Sequence, residues 1–126
     1  MKTYLRTTIT VVGPDVADLV EGGVLILFAE GAPDELAEVS VLHRVAEGPD
    51  AEAPAPGAEI LVGDVSAILT GIGELAWNKI RDIGHVVINF NGSDTPERPG
   101  EICASNVNSD ALVAAIVAGS EITIRS

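Results

Sequence analysis

Histidine and cysteine, the side chains best suited to nucleophilic chemistry near neutral pH, are scarce in this 126-residue sequence. It contains two histidines, His43 and His85, and one cysteine, Cys103. His43 stands near the end of an alternating segment, 39–45, just before a loop rich in glycine and proline. Reactive groups are often found where a rigid strand meets a loop, and the ordinary pKa of histidine suits proton transfer and nucleophilic attack at cellular pH. His43 is therefore the first candidate for a catalytic residue.

The same position also fits a structural role. In an extended strand the side chains alternate between faces, so Arg44, a potential anion ligand, is predicted to point away from His43. A hydrogen-bonded structural histidine is common on an apolar strand face, and the same two alternatives hold for His85, which follows Gly84. The predicted face that contains His43 consists of Val39, Val41, His43 and Val45.

Short strands must position these residues. Aromatic residues are only 3% of the chain, so the core must consist of Val, Ile, Leu and Ala, which suits pleated strands. Regular short strands separated by turn residues predict one mainly β domain over residues 1–126, built as a barrel or sandwich with one clear helix. Alternation and turn residues predict about eight strands, at 3–12, 24–28, 39–45, 60–62, 65–70, 85–90, 101–104 and 121–125.

The clearest helix is predicted over residues 74–83, with Gly84 as its C-terminal cap. Trp77 is expected at the edge of its buried stripe. A smaller helix is predicted over 110–118, with Ser109 or Asp110 as its N-cap, and a mobile loop over 46–58. The buried stripe of the first helix is predicted from 3–4 spacing as Leu75, Ala76, Lys79, Ile80 and Ile83.

Net charge, cysteine content and the lack of apolar targeting segments limit the partners and the cellular location that the sequence predicts. The net charge of −12 argues against nucleic acid or an anionic membrane as partner and favours solubility or docking onto a basic patch of another protein. The single cysteine predicts no disulfide within the chain. The N-terminal segment lacks the apolar core of a signal peptide, and the longest apolar run, 111–119, is too short to cross a bilayer. These features predict a cytoplasmic protein without direct membrane insertion.

Cofactor and metal signatures are weak. The segment 71–76 fits the pattern G-x-G-x-x-A between a predicted strand and the 74–83 helix, which is the context of a dinucleotide fingerprint. However, the next strand, 86–90, ends without the expected acidic residue, and no second βα unit follows. The two histidines are far apart in sequence, and no paired-ligand motif is present. The sequence therefore predicts no cofactor and no metal.

Taken together, the motifs resemble a known family: the glucitol/sorbitol-specific IIA component of the bacterial phosphotransferase system. The similarity runs nearly end to end, and Glu-Gly-Ala-Pro, a histidine shortly after it and a later Gly-His-Val form a specific combination. The matching positions are Thr7–Thr10, Phe28, Glu30–Pro33, Leu36, Leu42, His43, Gly73, Asn78, Gly84–Val86, Phe90, Pro99 and Gly100.

The resemblance implies a β-barrel phosphotransferase component that works through a phosphohistidine. In the family, the histidine at the position of His43 accepts a phosphoryl group from phospho-HPr and passes it to a cysteine of the IIB component during sugar uptake. His85, Thr70, Asn78 and backbone N–H groups near the strand end are candidate helpers.

Some features depart from the family pattern or leave alternatives open. Family members can have a second histidine two residues after the active one, where this chain has Val45. A phosphoryl carrier predicts an exposed His43 ring with a shallow, partly apolar docking face around it. The alternative is a non-catalytic β-barrel module that regulates a partner, and burial of both His43 ring nitrogens in hydrogen bonds would favour it.

Overall fold

The computed structural model describes residues 2–126, so Met1 lies outside the described residues. The strands close into one barrel in the order β1-β3-β2-β6-β7-β5-β4-β8. The predicted mainly β fold, a barrel of about eight short strands, is thereby confirmed. The strands are β1 (Thr3–Val12), β2 (Val24–Ala29), β3 (Val41–Glu47), β4 (Glu59–Val62), β5 (Val65–Ile72), β6 (Val86–Asn89), β7 (Glu101–Ala104) and β8 (Glu121–Arg125). The helices are α1 (Val16–Glu21), α2 (Asp34–Ala37), α3 (Ala76–Ile83) and α4 (Ser109–Ala115).

The barrel mixes antiparallel and parallel neighbours. The two parallel pairs are β2 with β3 and β6 with β7, while the remaining neighbours run antiparallel. Because β2 and β3 are parallel, their carboxyl ends open at the same end of the barrel. The β1–β3 ladder has register shifts between Arg6 and Thr7 and between Ile9 and Val11. Bulges of this kind bend a strand and re-aim its side chains, and they are frequent beside active sites.

Alternation explains how the barrel is filled. In most of the strands, side chains at every second position point inward, and most of these positions hold aliphatic residues. β-branched and leucine side chains fit such a pleated interior, which is why a chain with so few aromatics can close a core. The largest fully buried side chains include Leu5, Ile9, Leu25, Leu27, Ile60, Leu69, Ile88, Ile102, Ile122 and Ile124.

Several element boundaries differ from the sequence predictions. β3 begins at Val41, two residues after the predicted start, because the chain turns through the end of α2 before it pairs. α3 begins at Ala76 rather than near residue 74. The N-cap of α4 is Asn108, whose side-chain oxygen accepts a hydrogen bond from the Ala111 amide at 2.9 Å. The predicted caps Ser109 and Asp110 were therefore wrong by one and two residues.

The buried face of α3 is also rotated from the predicted stripe. Leu75 and Ile83 are 45% and 47% exposed, whereas Ala76, Trp77 and Ile80 are buried. Trp77 packs edge-on against Tyr4 and lies within the core, not at its edge. The helix has only eight residues, so a large indole can determine which face turns inward.

The segment predicted as a mobile loop is attached to the barrel at several points. The Trp77 indole donates a hydrogen bond to the Asp50 carbonyl at 2.7 Å, and the Asp50 amide donates to the Tyr4 carbonyl at 2.8 Å. The Gly57 amide donates to the Leu69 carbonyl at 2.8 Å, and Pro54 is buried. These contacts fix the path of the chain between β3 and β4.

Candidate functional site

His43 lies in β3, between the two strands that pair with it. The register places it opposite Ile9 in β1 and Ala29 in β2. The residue is only 2% exposed. Its Nδ1 lies 2.6 Å from the Thr7 hydroxyl oxygen, and its Nε2 lies 2.7 Å from the Gly84 carbonyl oxygen. Both ring nitrogens therefore have a partner in the described structure.

These partners determine the tautomer. A carbonyl oxygen only accepts hydrogen bonds, so His43 Nε2 must bear a proton and donate it to Gly84. In the neutral ring, Nδ1 then carries the lone pair and accepts the hydrogen bond that the Thr7 hydroxyl donates. Thr7 itself is fully buried, so water does not compete for this contact. The ring is held in one orientation with its single lone pair on Nδ1.

Gly84 reaches His43 because it ends α3 in a left-handed conformation. Its φ of +65° reverses the chain, and its amide donates to the Ile80 carbonyl at 2.9 Å. A Cβ atom at this position would lie 2.8 Å from the Ala29 Cβ. Glycine is therefore required both by the conformation and by the close approach to β2. This turn directs the Gly84 carbonyl at the histidine.

The surroundings of His43 favour a neutral ring. Burial lowers the pKa of His43 below its ordinary value, because the charged imidazolium loses hydration. The hydrogen bond to the Gly84 carbonyl and the nearby Glu30 carboxylate oppose this shift without cancelling it. The neutral imidazole, unlike the imidazolium, keeps a lone pair on one nitrogen, and here that lone pair accepts the hydrogen bond from Thr7.

Glu30 and Arg44 form an ion pair beside the histidine. Arg44 Nε and Nη2 lie 2.9 Å and 3.2 Å from the two Glu30 carboxylate oxygens. Arg44 and Glu30 are exposed, which agrees with the prediction that Arg44 points away from His43. The contact with Arg44 holds the pKa of the Glu30 carboxyl below its ordinary value. The pair places both a guanidinium and a carboxylate at the surface next to the buried ring.

The predicted exposure of the His43 ring was wrong. His43 lies in the predicted strand, but burial along this strand does not alternate as predicted: Val41 to His43 are all buried, whereas Val45 is 38% exposed. His43 is enclosed in the barrel. There the turn after α3 and the buried hydroxyl of Thr7 enclose the ring. The enclosing residues come from distant parts of the chain, so alternation within one strand could not show them.

His85 has a different environment from His43. Its Nδ1 donates a hydrogen bond to the Leu27 carbonyl at 3.1 Å, and its ring lies against Phe28, with centroids 4.9 Å apart. The ring therefore makes no hydrogen bond with His43, although the two residues are linked through the Gly84 carbonyl. A part for His85 in catalysis stays a prediction.

Two other candidate helpers lie away from the His43 ring nitrogens. The Thr70 hydroxyl donates to the Ser93 carbonyl at 2.6 Å, and Asn78 is exposed on α3. The residue that does contact the ring, Thr7, was not singled out as a site residue. It stood within the Thr7–Thr10 match to the family, which was the signal that could have identified it.

Close packing explains the glycines of the 71–76 pattern, and the fold around them differs from that of a dinucleotide site. A Cβ at Gly71 would lie 2.7 Å from the Asp94 carbonyl oxygen, and one at Gly73 would overlap the Pro99 carbonyl. The Leu75 amide, at the start of α3, already donates to the Pro99 carbonyl at 2.9 Å. β5 and β6 flank α3 but are not neighbours in the barrel, because β7 lies between them. The parallel βαβ unit that a dinucleotide site needs is absent from this segment.

Residues 2–126 contain neither a candidate metal cluster nor a helix that could span a membrane. No group of three or more His, Cys, Asp or Glu side chains in this range is placed to hold a metal ion. Among the helices described, none is long and apolar enough to cross a membrane.

Comparison with known proteins identifies the family. Residues 4–123 match the family model described as the PTS system glucitol/sorbitol-specific IIA component. The chain belongs to this family. The glucitol/sorbitol-specific IIA components of Shigella flexneri and Escherichia coli (strain K12) are each 33% identical to it over 102 residues, which is 81% of both chains. Membership in a IIA family makes the protein a component of a phosphotransferase system, as the resemblance implied.

A solved structure supports the fold independently. The crystal structure of a PTS system IIA component from Enterococcus faecalis V583 superposes with a TM-score of 0.74 at 22% identity. The match covers 96% of this chain and 99% of that one. The eight-stranded architecture is therefore shared across nearly the whole domain.

Proposed function

We propose that the protein is a cytoplasmic phosphoryl carrier in the uptake of a sugar alcohol such as glucitol, with His43 as the transient phosphate site. In this proposal, phospho-HPr donates the phosphoryl group, and a cysteine of the IIB component accepts it. The main support is the geometry of His43, a neutral imidazole with one oriented lone pair. His85 enters the proposal only as a residue that supports the turn at Gly84.

Phosphoryl transfer through a histidine requires a nucleophilic ring nitrogen and surroundings that keep the imidazole neutral. A neutral imidazole nitrogen attacks phosphorus directly, and the resulting N–P bond remains reactive toward a thiolate. Phosphoryl transfer depends mainly on position and on stabilisation of the transferring oxygens. Arg44 follows His43 in the chain and is exposed and paired with Glu30, so it is a cation that could meet those oxygens once the ring is uncovered.

The burial of His43 requires an opening step before transfer. A donor histidine cannot reach a ring that is 2% exposed without movement of the ring or of its surroundings. Val45 and Ile83 lie next to the site in sequence, two residues after His43 and one before Gly84, and both are exposed apolar side chains. We propose that a partner docks on these side chains and that docking stabilises the open ring.

The test is phosphoryl transfer observed by intact mass. The protein is incubated with phosphoenolpyruvate, enzyme I and HPr, and in parallel with phosphoramidate, a small donor that requires no protein docking. An acid-labile adduct on the wild type, absent from His43→Gln, is the expected result. An adduct that persists in His43→Gln and disappears in His85→Gln would move the site to His85.

One observation favours a second function. Both ring nitrogens of His43 are hydrogen-bonded and buried, which is the arrangement expected of a structural histidine in a regulatory or interaction module. This alternative predicts no adduct with either donor, under conditions in which HPr itself is shown to be phosphorylated. It also predicts that His43→Gln lowers stability without affecting any transfer reaction.

A further inference from the structure

We infer that a cavity beside the start of β6 binds a phosphate group, which Lys79, Arg98 and His85 would hold. The cavity has a volume of about 350 Å³ and lies between α3, the start of β6 and the turn that leads into β7. Ligand pockets in proteins begin at about 300 Å³, so this space suits inorganic phosphate or a small phosphorylated molecule. Its lining includes Lys79, His85, Val87, Arg98, Gly100 and Glu101.

The cavity is on the outer face of the barrel, whereas the His43 ring is inside it. Val86 is buried, but His85 and Val87 on either side of it are half-buried and line the cavity. Gly84, whose carbonyl accepts the hydrogen bond from His43, comes directly before His85 in the chain. The cavity is therefore separate from the His43 ring, but it adjoins the segment that holds this ring.

Lys79 supplies a positive charge that no carboxylate neutralises at close range. Within residues 2–126, no Asp or Glu oxygen forms an ion pair with its ammonium nitrogen. A Cβ atom added at Gly100 would lie 3.2 Å from that nitrogen and 3.4 Å from the Lys79 Cδ. The lysine side chain therefore lies along the backbone of Gly100, and the glycine leaves this path open. The ammonium group is thereby held at the cavity.

Arg98 and Glu101 line the cavity with opposite charges. Arg98 Nη1 lies 4.0 Å from Glu101 Oε2, and the side chains are 82% and 10% exposed. Because this separation is long for an ion pair, the exposed guanidinium keeps donors for a phosphate group, which it can bind through two parallel hydrogen bonds. The charges of Arg98 and Glu101 offset each other, so Lys79 makes the cavity positive in a chain of net charge −12. Such a local positive site attracts anions.

His85 makes the cavity better suited to phosphate than to sulfate. Its Nδ1 donates to the Leu27 carbonyl, and packing against Phe28 holds the ring. In the neutral ring Nε2 then carries the lone pair, and it has no hydrogen-bond partner within residues 2–126. A P–OH group of hydrogen phosphate can donate to this lone pair, and a protonated ring can donate to a phosphate oxygen. Sulfate has no O–H group at neutral pH and lacks the first of these contacts.

The test is a titration of the full chain with inorganic phosphate, followed by NMR of the histidine rings at constant ionic strength. The chain has two histidines, so the signals that remain in His43→Gln belong to His85. We expect a saturable shift of the His85 signals in the millimolar range, because Lys79 and Arg98 are exposed and their attraction is weakened by solvent. Sulfate should bind more weakly than phosphate.

Substitutions that change one charge locate the site. Lys79→Gln should weaken phosphate binding about fivefold, the upper end for an exposed charge pair. Arg81→Gln makes the same charge change on the same helix but outside the cavity lining, so it is the matched control. Glu101→Gln keeps the shape of the side chain, removes the opposing charge and should strengthen binding. Gly100→Ala should weaken binding by displacing the Lys79 ammonium, and Gly100 has no left-handed conformation that an alanine would strain.

The phosphate group could be free or carried by a docked phosphoprotein, and the experiment separates these sources. Saturation with inorganic phosphate assigns the cavity to a free ligand. If inorganic phosphate does not saturate, but Lys79→Gln slows phosphorylation by phospho-HPr and not by phosphoramidate, the cavity receives the phosphoryl group of a docked donor. Only this second arm rests on the proposed function.

The contrary outcomes are distinct. Absence of both effects would overturn the inference. Equal losses of binding in Lys79→Gln and Arg81→Gln would also overturn it, because they would indicate attraction by overall charge and not by the cavity. Equal affinity for sulfate would overturn the contact assigned to His85. Binding of free phosphate does not require His43 to be phosphorylated, so failure of the carrier function would leave this site in place.

Discussion

The two ring nitrogens of the buried His43 have different hydrogen-bond partners, and these partners determine the tautomer of the ring before any other protein binds. The Gly84 carbonyl requires a donor, and the Thr7 hydroxyl supplies one to the opposite nitrogen. Burial keeps the ring neutral by lowering the pKa of His43. The ring is thus neutral and held in one orientation but buried, so any reaction at His43 requires that the ring first be uncovered.

The lowered pKa of His43 makes stability depend on pH. In the unfolded chain a histidine titrates near its ordinary value of about 6.5, so it binds a proton at a higher pH than the buried ring does. The free energy of unfolding should therefore decrease as the pH falls through about 6.5, and this decrease should level off below the folded pKa. Urea unfolding between about pH 8 and pH 5.5 measures it.

The control for this prediction is His43→Gln, which cannot take up a proton and should show a flatter pH profile over the same range. Lowered pKa values of Glu30, Asp50 and Glu59 add a further loss of stability at more acidic pH, which both proteins share. A direct titration by NMR should place the His43 pKa below its ordinary value. A pKa above that value would contradict the burial argument.

At the scale of the element, the short helix α3 and its terminal glycine connect the core to the site. Trp77 and Ile80 anchor the inner face of the helix, and Gly84 turns the chain so that its carbonyl meets His43. The position of the helix therefore determines where the carbonyl lies. Residues that never touch the ring can affect the histidine through this connection.

Gly84→Ala should weaken both stability and transfer. A left-handed φ costs an L-residue about 1–2 kcal/mol, and the new methyl group would press against Ala29. We expect a loss of about 2 kcal/mol or more in the free energy of unfolding and a shift of the His43 Nε2–H resonance. The control is Gly22→Ala, at a helix end with φ of −85° and a nearest contact of 3.4 Å, where both effects should be small.

The sequence predicted some of these elements and missed others for physical reasons. Strands such as β1 and β8 alternate clearly, and His43 was identified by its rarity and strand-end position. The Gly84 carbonyl has no side-chain signal, and Thr7 resembles any threonine in a strand. His43 is enclosed by Thr7, which is 36 positions away in the sequence, and by Gly84, which is 41 positions away. No local sequence pattern contains such contacts.

At the scale of the whole molecule, barrel closure leaves no strand edge exposed and determines how strongly the core is affected by the truncation of a buried side chain. Each strand pairs with two neighbours, so a cavity beneath one strand also weakens the packing of the two strands beside it. The mixed order of strands was not predictable, because alternation indicates which face is buried and not which strand lies alongside. The two parallel pairs arise from connections through α2 and through residues 90–100.

Ile124→Ala in β8 should be strongly destabilising. Its side chain is almost fully buried where β8 joins β1 and β4, and truncation of a buried isoleucine costs about 2–5 kcal/mol. The matched control is Ile68→Ala in β5, whose side chain is 44% exposed and should change stability by less than about 0.5–1 kcal/mol. Denaturant midpoints for the two variants measure the difference. Equal losses would mean that closure by β8 contributes little.

The position of β8 also has a consequence for synthesis on the ribosome. This strand is late in the chain, yet it pairs with β1 at the start and with β4 in the middle, and the Ser126 amide donates to the Lys2 carbonyl at 2.8 Å. Until residues 121–125 have emerged, β1 and β4 each keep an unpaired edge, and such edges are templates for aggregation. We therefore expect chaperones that shield strand edges to matter most before β8 has emerged.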